Sequence, residues 1–588
     1  MLFTQFSKYL EKLENTPKRL EMTSILVDLI KDLGEEEIDI ALYLASGYLK
    51  APFESEKFNI AEKMAIRILV ETYNITEETI KEKYKELGDL GDVAFLVAKQ
   101  HETKLNILEV HKKLIVIAQV EGAGSQDLKI RKTAELLKEL DKTSAKYIVR
   151  IVLGNARLGF TELTIIDALS LYLGDKGLKK QIEQRYNTYP DIGKIAKVIK
   201  QKGFEGLNVI NLTPGIPLLL QKAQRVKNFE EVIEKMEEIW LEFKLDGTRV
   251  QLHMDRNKEI IKNTHSLFED TSKDFLVKTF TRNLEDTTNM YPDLVIGAKE
   301  QIQADSVILD GEAIGYDPKT GAFLPFQETM QRKRKHGVEE MAKEIPLKYF
   351  VFDILYLNGE SLLHKPLEER KAILDKIVKK GTTINPLEHK RINGIDELYE
   401  GFEDSKDKKL EGLIAKNPKG TYQAGARSFE WIKLKVADSK LLADSIDCVI
   451  LGYYNGKGAR SQFGIGGLLL GVYDEEENTY KTISKLGTGL TEEGLTTIKE
   501  LCDKEKISTP NNNVIMSKMF TPDVYVNPKI VVEVGADEIT VSPSHSAKYA
   551  LRFPRLLKIR TDKKATQSTT LKELETMYKN IDKGTGQV

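Results

Sequence analysis

Apolar residues recur at three- and four-residue intervals through the first part of the chain, and this spacing predicts helices up to about residue 210. Within residues 130–140, Ile130, Ala134 and Leu137 fall on one helical face, and residues 61–72 carry a similar stripe. Prolines are sparse here, and glycine-containing turns separate the helices. Thr213-Pro214-Gly215-Ile216-Pro217 breaks the pattern and reads as a linker.

From about residue 236 the period changes to two. In residues 240–246, Leu241, Phe243 and Leu245 point one way and Trp240, Glu242, Lys244 and Asp246 the other. Asp246-Gly247 is a hairpin-type turn signal. Residues 307–312, 349–357 and 430–436 also read as strands, with helical stretches between them, which predicts a mixed α+β domain. After about residue 437 come short strands with glycine punctuation, at 448–454, 467–473 and 530–534, as in a small barrel. The C-terminal end is polar and is expected to fray. The chain therefore divides into residues 1–213, 214–436 and 437–588.

Composition changes this picture little. The 588 residues are 41% hydrophobic and 30% charged, with a net charge of −2, so bulk charge selects neither nucleic acid nor membrane. Two distant cysteines, Cys448 and Cys502, supply neither a zinc cluster nor a disulfide scaffold and suit a reducing compartment. No basic-then-apolar leader is evident, and no run of about 18 apolar residues could span a membrane. A cytoplasmic location is expected.

Candidate chemistry lies in the strands. Glu242-Phe243-Lys244-Leu245-Asp246-Gly247-Thr248-Arg249 sets one lysine beside a tight turn and an arginine. A lysine nucleophile must shed its proton near neutral pH, which nearby cations, burial or a metal can promote. Read alone, the motif also fits a surface hairpin. Asp310 and Glu312 end one strand and Glu411 begins another; converging carboxylates can hold Mg²⁺ on a polyphosphate. Glu411 and Lys416 stand at odd separation, so a bulge or strand end must intervene if both are to line one site. Lys433 and Lys435 share a strand face, about 6–7 Å apart, and can grip an α-phosphate. Phe350 and Phe352 sit in an apolar strand, where core packing is the default and a purine platform the alternative. Residues 541–564 hold seven cations against the single acid Asp562, and residues 331–336 form another basic run; both could meet phosphates.

Together these motifs resemble the covalent nucleotidyltransferase superfamily, and the chain is similar to the replicative ATP-dependent DNA ligases of archaea and eukaryotes over nearly its whole length. Further stretches carry the likeness: Thr281-Arg282-Asn283-Leu284-Glu285-Asp286, Pro325-Phe326-Gln327, Phe352-Asp353-Ile354-Leu355-Tyr356-Leu357, Lys485-Leu486-Gly487-Thr488-Gly489 and Leu551-Arg552-Phe553-Pro554-Arg555. The resemblance implies a helical DNA-binding domain, an adenylation domain and an OB-fold barrel. It implies that Lys244 attacks ATP to form lysine–AMP, that Arg249 and Arg282 contact nucleotide or phosphate, and that Glu242 and Phe352 frame the adenine. Glu312 and Glu411 would serve the sugar or the metals, Mg²⁺ or alternatively Mn²⁺. Lys433 and Lys435 would hold the α-phosphate with Arg427 close by, and Arg560-Thr561-Asp562-Lys563 would orient pyrophosphate. Phe326 and Phe553 would press into the minor groove at a nick, next to Arg552. Gly122-Ala123-Gly124-Ser125-Gln126 and residues 150–158, including Asn155 and Arg157, match phosphate-contacting turns. The implied partner is nicked duplex DNA, bound by a monomer. No sliding-clamp motif stands near residues 98–112. Arg249 and Arg282 lie further apart than the family spacing, with extra residues around 263–277.

The enzymatic rivals are an mRNA-capping guanylyltransferase and an RNA ligase. The long helical region before Lys244, with Phe326 and Phe553, favours the DNA ligase. A binding scaffold with a dead site would have lost Lys244, Glu411 or Lys435, and all three are present.

Overall fold

A computed structural model describes residues 1–54, 57–99, 102–226, 228–261, 273–334, 337–408, 410–435, 445–456, 458–487, 489–536 and 538–583. Two compact units divide the chain: Met1–Lys81 with Leu90–Leu434, and Glu82–Asp89 with Lys435–Val588.

The first part is helical from Phe3–Glu14 to Ile192–Lys202. The helix Lys142–Val152 shows why. Asp141 caps it, its carboxylate accepting from Thr143 N at 3.1 Å and Ser144 N at 3.0 Å. Tyr147, Ile148 and Ile151 are fully buried on its inner face. Gly154, at φ +78°, stops it. In the turn that follows, Asn155 Oδ1 accepts from Arg157 N at 2.9 Å, and Arg157 stands at φ +56°. Gly122 and Gly124, both at positive φ, lead into the helix Ser125–Lys138, and no atom lies within 4 Å of where their β-carbons would be.

The linker 213–221 lies along the central domain through buried polar groups. Gln251 Oε1 accepts from Leu218 N at 3.0 Å, its Nε2 donates to Leu218 O at 2.7 Å, and Gly215 N donates to His253 Nδ1 at 3.2 Å.

The central strands are β1 (Lys222–Arg225), β2 (Ile239–Lys244), β3 (Thr248–Ile261), β4 (Lys273–Thr281), β5 (Ser306–Gly315), β6 (Leu347–Leu357), β7 (Glu360–Ser361), β8 (Ile384–Pro386), β9 (Lys390–Ile392), β10 (Gly412–Lys416) and β11 (Arg427–Lys435). They form two sheets: β1-β11-β10-β2-β9, and β4-β3-β5-β6-β7 with β8 beside β6. Asp246-Gly247 therefore joins no hairpin, contrary to the turn signal, because β2 and β3 belong to different sheets. A β-carbon on Gly247 would stand 2.4 Å from Ala313 O, so the close approach of the chain to β5, where Thr248 pairs with Ala313, demands the glycine. Leu218, Ile308, Leu355 and Trp431 pack where the sheets meet.

The third part holds β12 (Ile446–Tyr454), β13 (Gly467–Asp474), β14 (Thr479–Leu486), β15 (Lys506–Ile507), β16 (Val514–Ile515), β17 (Val524–Val526), β18 (Val531–Gly535), β19 (Glu538–Val541), β20 (Tyr549–Arg552) and β21 (Arg555–Ile559). Eight of these make one curled sheet and β19–β20 a separate hairpin, an OB-fold as expected. The C-terminal end does not fray as far as it is described. Leu571–Lys583 is a helix that inserts the fully buried Leu574 into the barrel core, with Leu571, Met577 and Tyr578 beside it. Among the described residues no helix is long and apolar enough to cross a membrane.

Candidate active site

Lys244 ends β2, and its Nζ donates to the carboxylate of Glu411. The strand end anticipated between Glu411 and Lys416 is present. Glu411 precedes β10, Gly412 follows it at φ +142°, and the pairs Gly412↔Lys244 and Lys416↔Trp240 set the register. The glycine lets the chain bring Glu411 round to Lys244, while Lys416 runs inward.

Glu242, two residues before Lys244, is not on an open polar face. It is 2% exposed, and its oxygens take Lys371 Nζ at 3.1 Å and Lys416 Nζ at 2.6 Å. Burial pulls the Lys416 ammonium below its ordinary value, partly countered by Glu242. Lys416 also lies 4.6 Å from the Phe352 ring centre and 4.3 Å from that of Trp431. Phe352 is thus half-buried against Trp431, at 5.7 Å edge-to-face, and not lost in the core. Phe350, by contrast, packs on Phe323.

Arg249 opposes Glu312 across β3 and β5. Its guanidinium holds Asp310 through both oxygens, at 3.0 and 2.6 Å, and donates to Gln221 O at 2.7 Å. Tyr422 donates to the same carboxylate at 2.8 Å. Asp310, Tyr422 and Gln221 thus fix Arg249, a network that the Asp310-Gly311-Glu312 motif hinted at only through its first acid. Burial pushes the Glu312 carboxyl up to about 8; Lys244 and Arg249 pull it back, and Glu411 and Asp310 add to the rise.

The extra residues between Arg249 and Arg282 do not separate them. Residues 273–277 of that stretch belong to β4, whose register with β3 pairs Val250 with Thr281 and sets Arg282 just beyond Arg249. Residues 263–272 of that stretch lie outside the described residues. Burial lowers the Arg282 guanidinium, and the charges of Arg249 and Arg427 add to the effect. Arg427 opens β11, and Lys433 of the same strand pairs with Arg225.

The other sites stand apart in the sequence. Arg332 of the 331–336 run is fully buried and bound bidentately to Asp293 at 2.8 and 2.9 Å, so it serves the core, and the half-buried Lys333 pairs with Glu285. Lys335 and His336 lie outside the described residues, as do Val436 and Thr488. Phe326 begins the short helix Phe326–Thr329 and is half-buried. In the second unit, Phe553 is 63% exposed at φ +50°, with the Arg552 guanidinium 5.4 Å from its ring centre. An exposed aromatic held at positive φ is a strained position. Arg560 and Lys563 both pair with Asp447, a residue the sequence reading passed over.

No group of three or more acidic, histidine or cysteine side chains that could hold a metal occurs among the described residues. Glu312 and Glu411 fit a hard cation as a two-carboxylate set, since the raised Glu312 carboxyl is an acid short of positive charge. Substrate oxygens would have to complete such a shell.

Two sheets meeting over a strand-end lysine, followed by an OB-fold, define the nucleotidyltransferases that carry a nucleotide on lysine. Family models match in three places: DNA ligase N terminus over residues 2–170, ATP dependent DNA ligase domain over 270–435, and ATP dependent DNA ligase C terminal region over 461–563. The probable DNA ligase of Dictyoglomus turgidum is 40% identical over 592 residues, covering 99% of this chain and 98% of its own. DNA ligase 2 of Korarchaeum cryptofilum is 38% identical over 597 residues, covering 98% and 97%. A solved structure called Pmar-Lig_PreS3 shares the fold, with TM-score 0.55 and 17% identity over 94% of this chain and 99% of that one. The chain belongs to the ATP-dependent DNA ligases. Members of this family use ATP to seal nicks in DNA through a lysine–AMP intermediate. The middle family model begins downstream of Lys244, and the full-length relatives cover the segment that holds it.

Proposed function

We propose that Lys244 is the adenylated lysine of a monomeric ligase that works with Mg²⁺ on nicked duplex DNA. The observation that carries this reading is the convergence of Lys244, Glu411, Glu312 and Arg249 at the seam of two sheets. The Lys244 nitrogen attacks the α-phosphorus of ATP, the P–N bond forms, and the P–O bond to pyrophosphate breaks. Glu411, already hydrogen-bonded to Lys244, is placed to take the proton that must leave the ammonium. Lys433, Lys435 and Arg427 offset charge at the α-phosphate, and Phe352 with Glu242 frames the base. A nick's 5′-phosphate oxygen then displaces Lys244 from AMP. The 3′-hydroxyl attacks the resulting activated phosphate, and AMP leaves. A bound divalent cation would supply Lewis-acid charge neutralisation at Glu312 and Glu411. Phe553, Arg552, Phe326 and Arg157 contact the duplex without reading sequence, which suits an enzyme whose substrate occurs anywhere. The helical residues 1–213 bind DNA, residues 214–436 carry the adenylation site, and residues 437–588 form the barrel.

Incubation with α-³²P-ATP and Mg²⁺ tests this reading. Protein first stripped with pyrophosphate should take up label that survives a denaturing gel and passes to nicked DNA in a chase. Lys244→Ala should take up none. Labelling from GTP in place of ATP would point to a capping enzyme, and a labelled Lys244→Ala would remove Lys244 from its role.

A further inference from the structure

The two cations of the last motif are already held by acids. Arg560 follows β21, and its Nε and Nη2 donate to the two oxygens of Asp562 at 2.9 and 2.8 Å. Its Nη1 donates to both oxygens of Asp447, each at 3.1 Å. Lys563 Nζ donates to the same Asp447 carboxylate, and Glu533 stands 3.9 Å from Arg560. The motif's two cations thus face three carboxylates, with Lys558 a third cation opposite Glu533.

Asp447 is rigidly presented. It lies on β12, where its N–H donates to Thr569 Oγ1 at 3.0 Å and its carbonyl accepts from Thr569 N at 2.9 Å. Asp447 and Lys563 line a polar cleft of about 840 Å³, together with Thr566, Thr570 and Lys572. A small inorganic anion has room to reach the lysine. A polyphosphate binding Arg560 and Lys563 must displace a carboxylate that already uses the same hydrogen-bond donors, and it meets like-charge repulsion while doing so.

We propose that Asp447 is a resident competitor of pyrophosphate, a positioning residue that occupies Arg560 and Lys563 whenever no phosphate does. It lowers the affinity for pyrophosphate and hastens its departure after lysine adenylation. The inference rests on the pyrophosphate role proposed above for the Arg560–Lys563 motif.

The reverse reaction reads this directly. A pyrophosphate oxygen attacks the α-phosphorus of lysine-bound AMP, the P–N bond breaks, ATP forms, and Lys244 takes up a proton. Full-length protein carrying ³²P-AMP is titrated with inorganic pyrophosphate and Mg²⁺, and the half-saturating concentration for loss of label is measured. Asp447→Asn should lower that concentration about fivefold, as expected for releasing a partly exposed ion pair. Arg560→Ala should raise it. A gain of affinity cannot arise from damage to the fold, and Asp447→Ser carries the same test if the asparagine variant does not fold. An unchanged or higher value in the Asp447 variants, with Arg560→Ala weakened, overturns the competitor. No change in either Arg560→Ala or Lys563→Ala overturns the motif's pyrophosphate role instead.

Discussion

At the scale of single residues, charge placement decides behaviour. The Glu312 carboxyl, pushed up to about 8, is protonated at neutral pH before nucleotide arrives. A cation must displace that proton, so the half-saturating Mg²⁺ concentration for lysine adenylation should fall as pH rises from 7 to 9. Glu312→Gln should weaken Mg²⁺ dependence and lose this pH trend; an unaltered trend would place the proton elsewhere. Phe553 gives a second test. Its positive φ costs about 1 kcal/mol, so Phe553→Gly should raise the melting temperature of the second unit slightly while slowing nick sealing. A variant that melts lower, or seals normally, would deny the residue a strained functional role. The motifs made Lys244, Glu312 and Glu411 legible in the sequence. Asp310, Tyr422, Lys371 and Asp447 were not legible in their roles, because a buried ion pair joins residues distant in sequence and leaves no local pattern.

At the scale of elements, the periodic signals were good guides where one face is wet and poor where both are covered. β2 alternates in sequence, yet Glu242 on its polar side is 2% exposed because a second layer bearing Lys371 covers it. The Asp-Gly pair signalled a turn correctly and its partner wrongly, since a turn residue records local conformation and not which sheet receives the next strand. Gly247 is the sharper element-scale test. Gly247→Ala places a β-carbon 2.4 Å from Ala313 O and must part the start of β3 from β5. It should cost about 1–3 kcal/mol and sharply reduce lysine labelling, measured by thermal melting and the radiolabel assay. Full labelling in that variant would mean that the start of the β3–β5 ladder tolerates widening.

Over the whole molecule, the joint between the helical part and the central domain combines an apolar cluster of Phe53, Phe280 and Leu284 with buried polar groups that hold the linker. His253 is fully buried, and burial pulls its imidazole down to about 3, with Lys278 adding to the fall. Its unfolded value is about 6.5, so the unfolded chain binds the extra proton first as pH falls. The resulting stability is complete above about pH 6.5 and is lost progressively down to about 3, on the order of 5 kcal/mol. His253→Gln should flatten the acid limb of a plot of melting temperature against pH; an unchanged limb would mean that other groups govern acid unfolding. The Pro-Gly signal marked this joint as a linker, but its partners, two side chains on β3, could be found only in three dimensions. The three-part order of helices, mixed sheets and barrel was readable from the change of period near residue 236 and the short, glycine-punctuated strands after residue 437. The β3–β4 ladder has one last consequence. Because strand pairing sets Arg282 beside Arg249, the number of residues between them is free to drift while the site stays intact. Such a hairpin is a place where evolution can lengthen the chain, and try out new surface, without touching the chemistry beneath it.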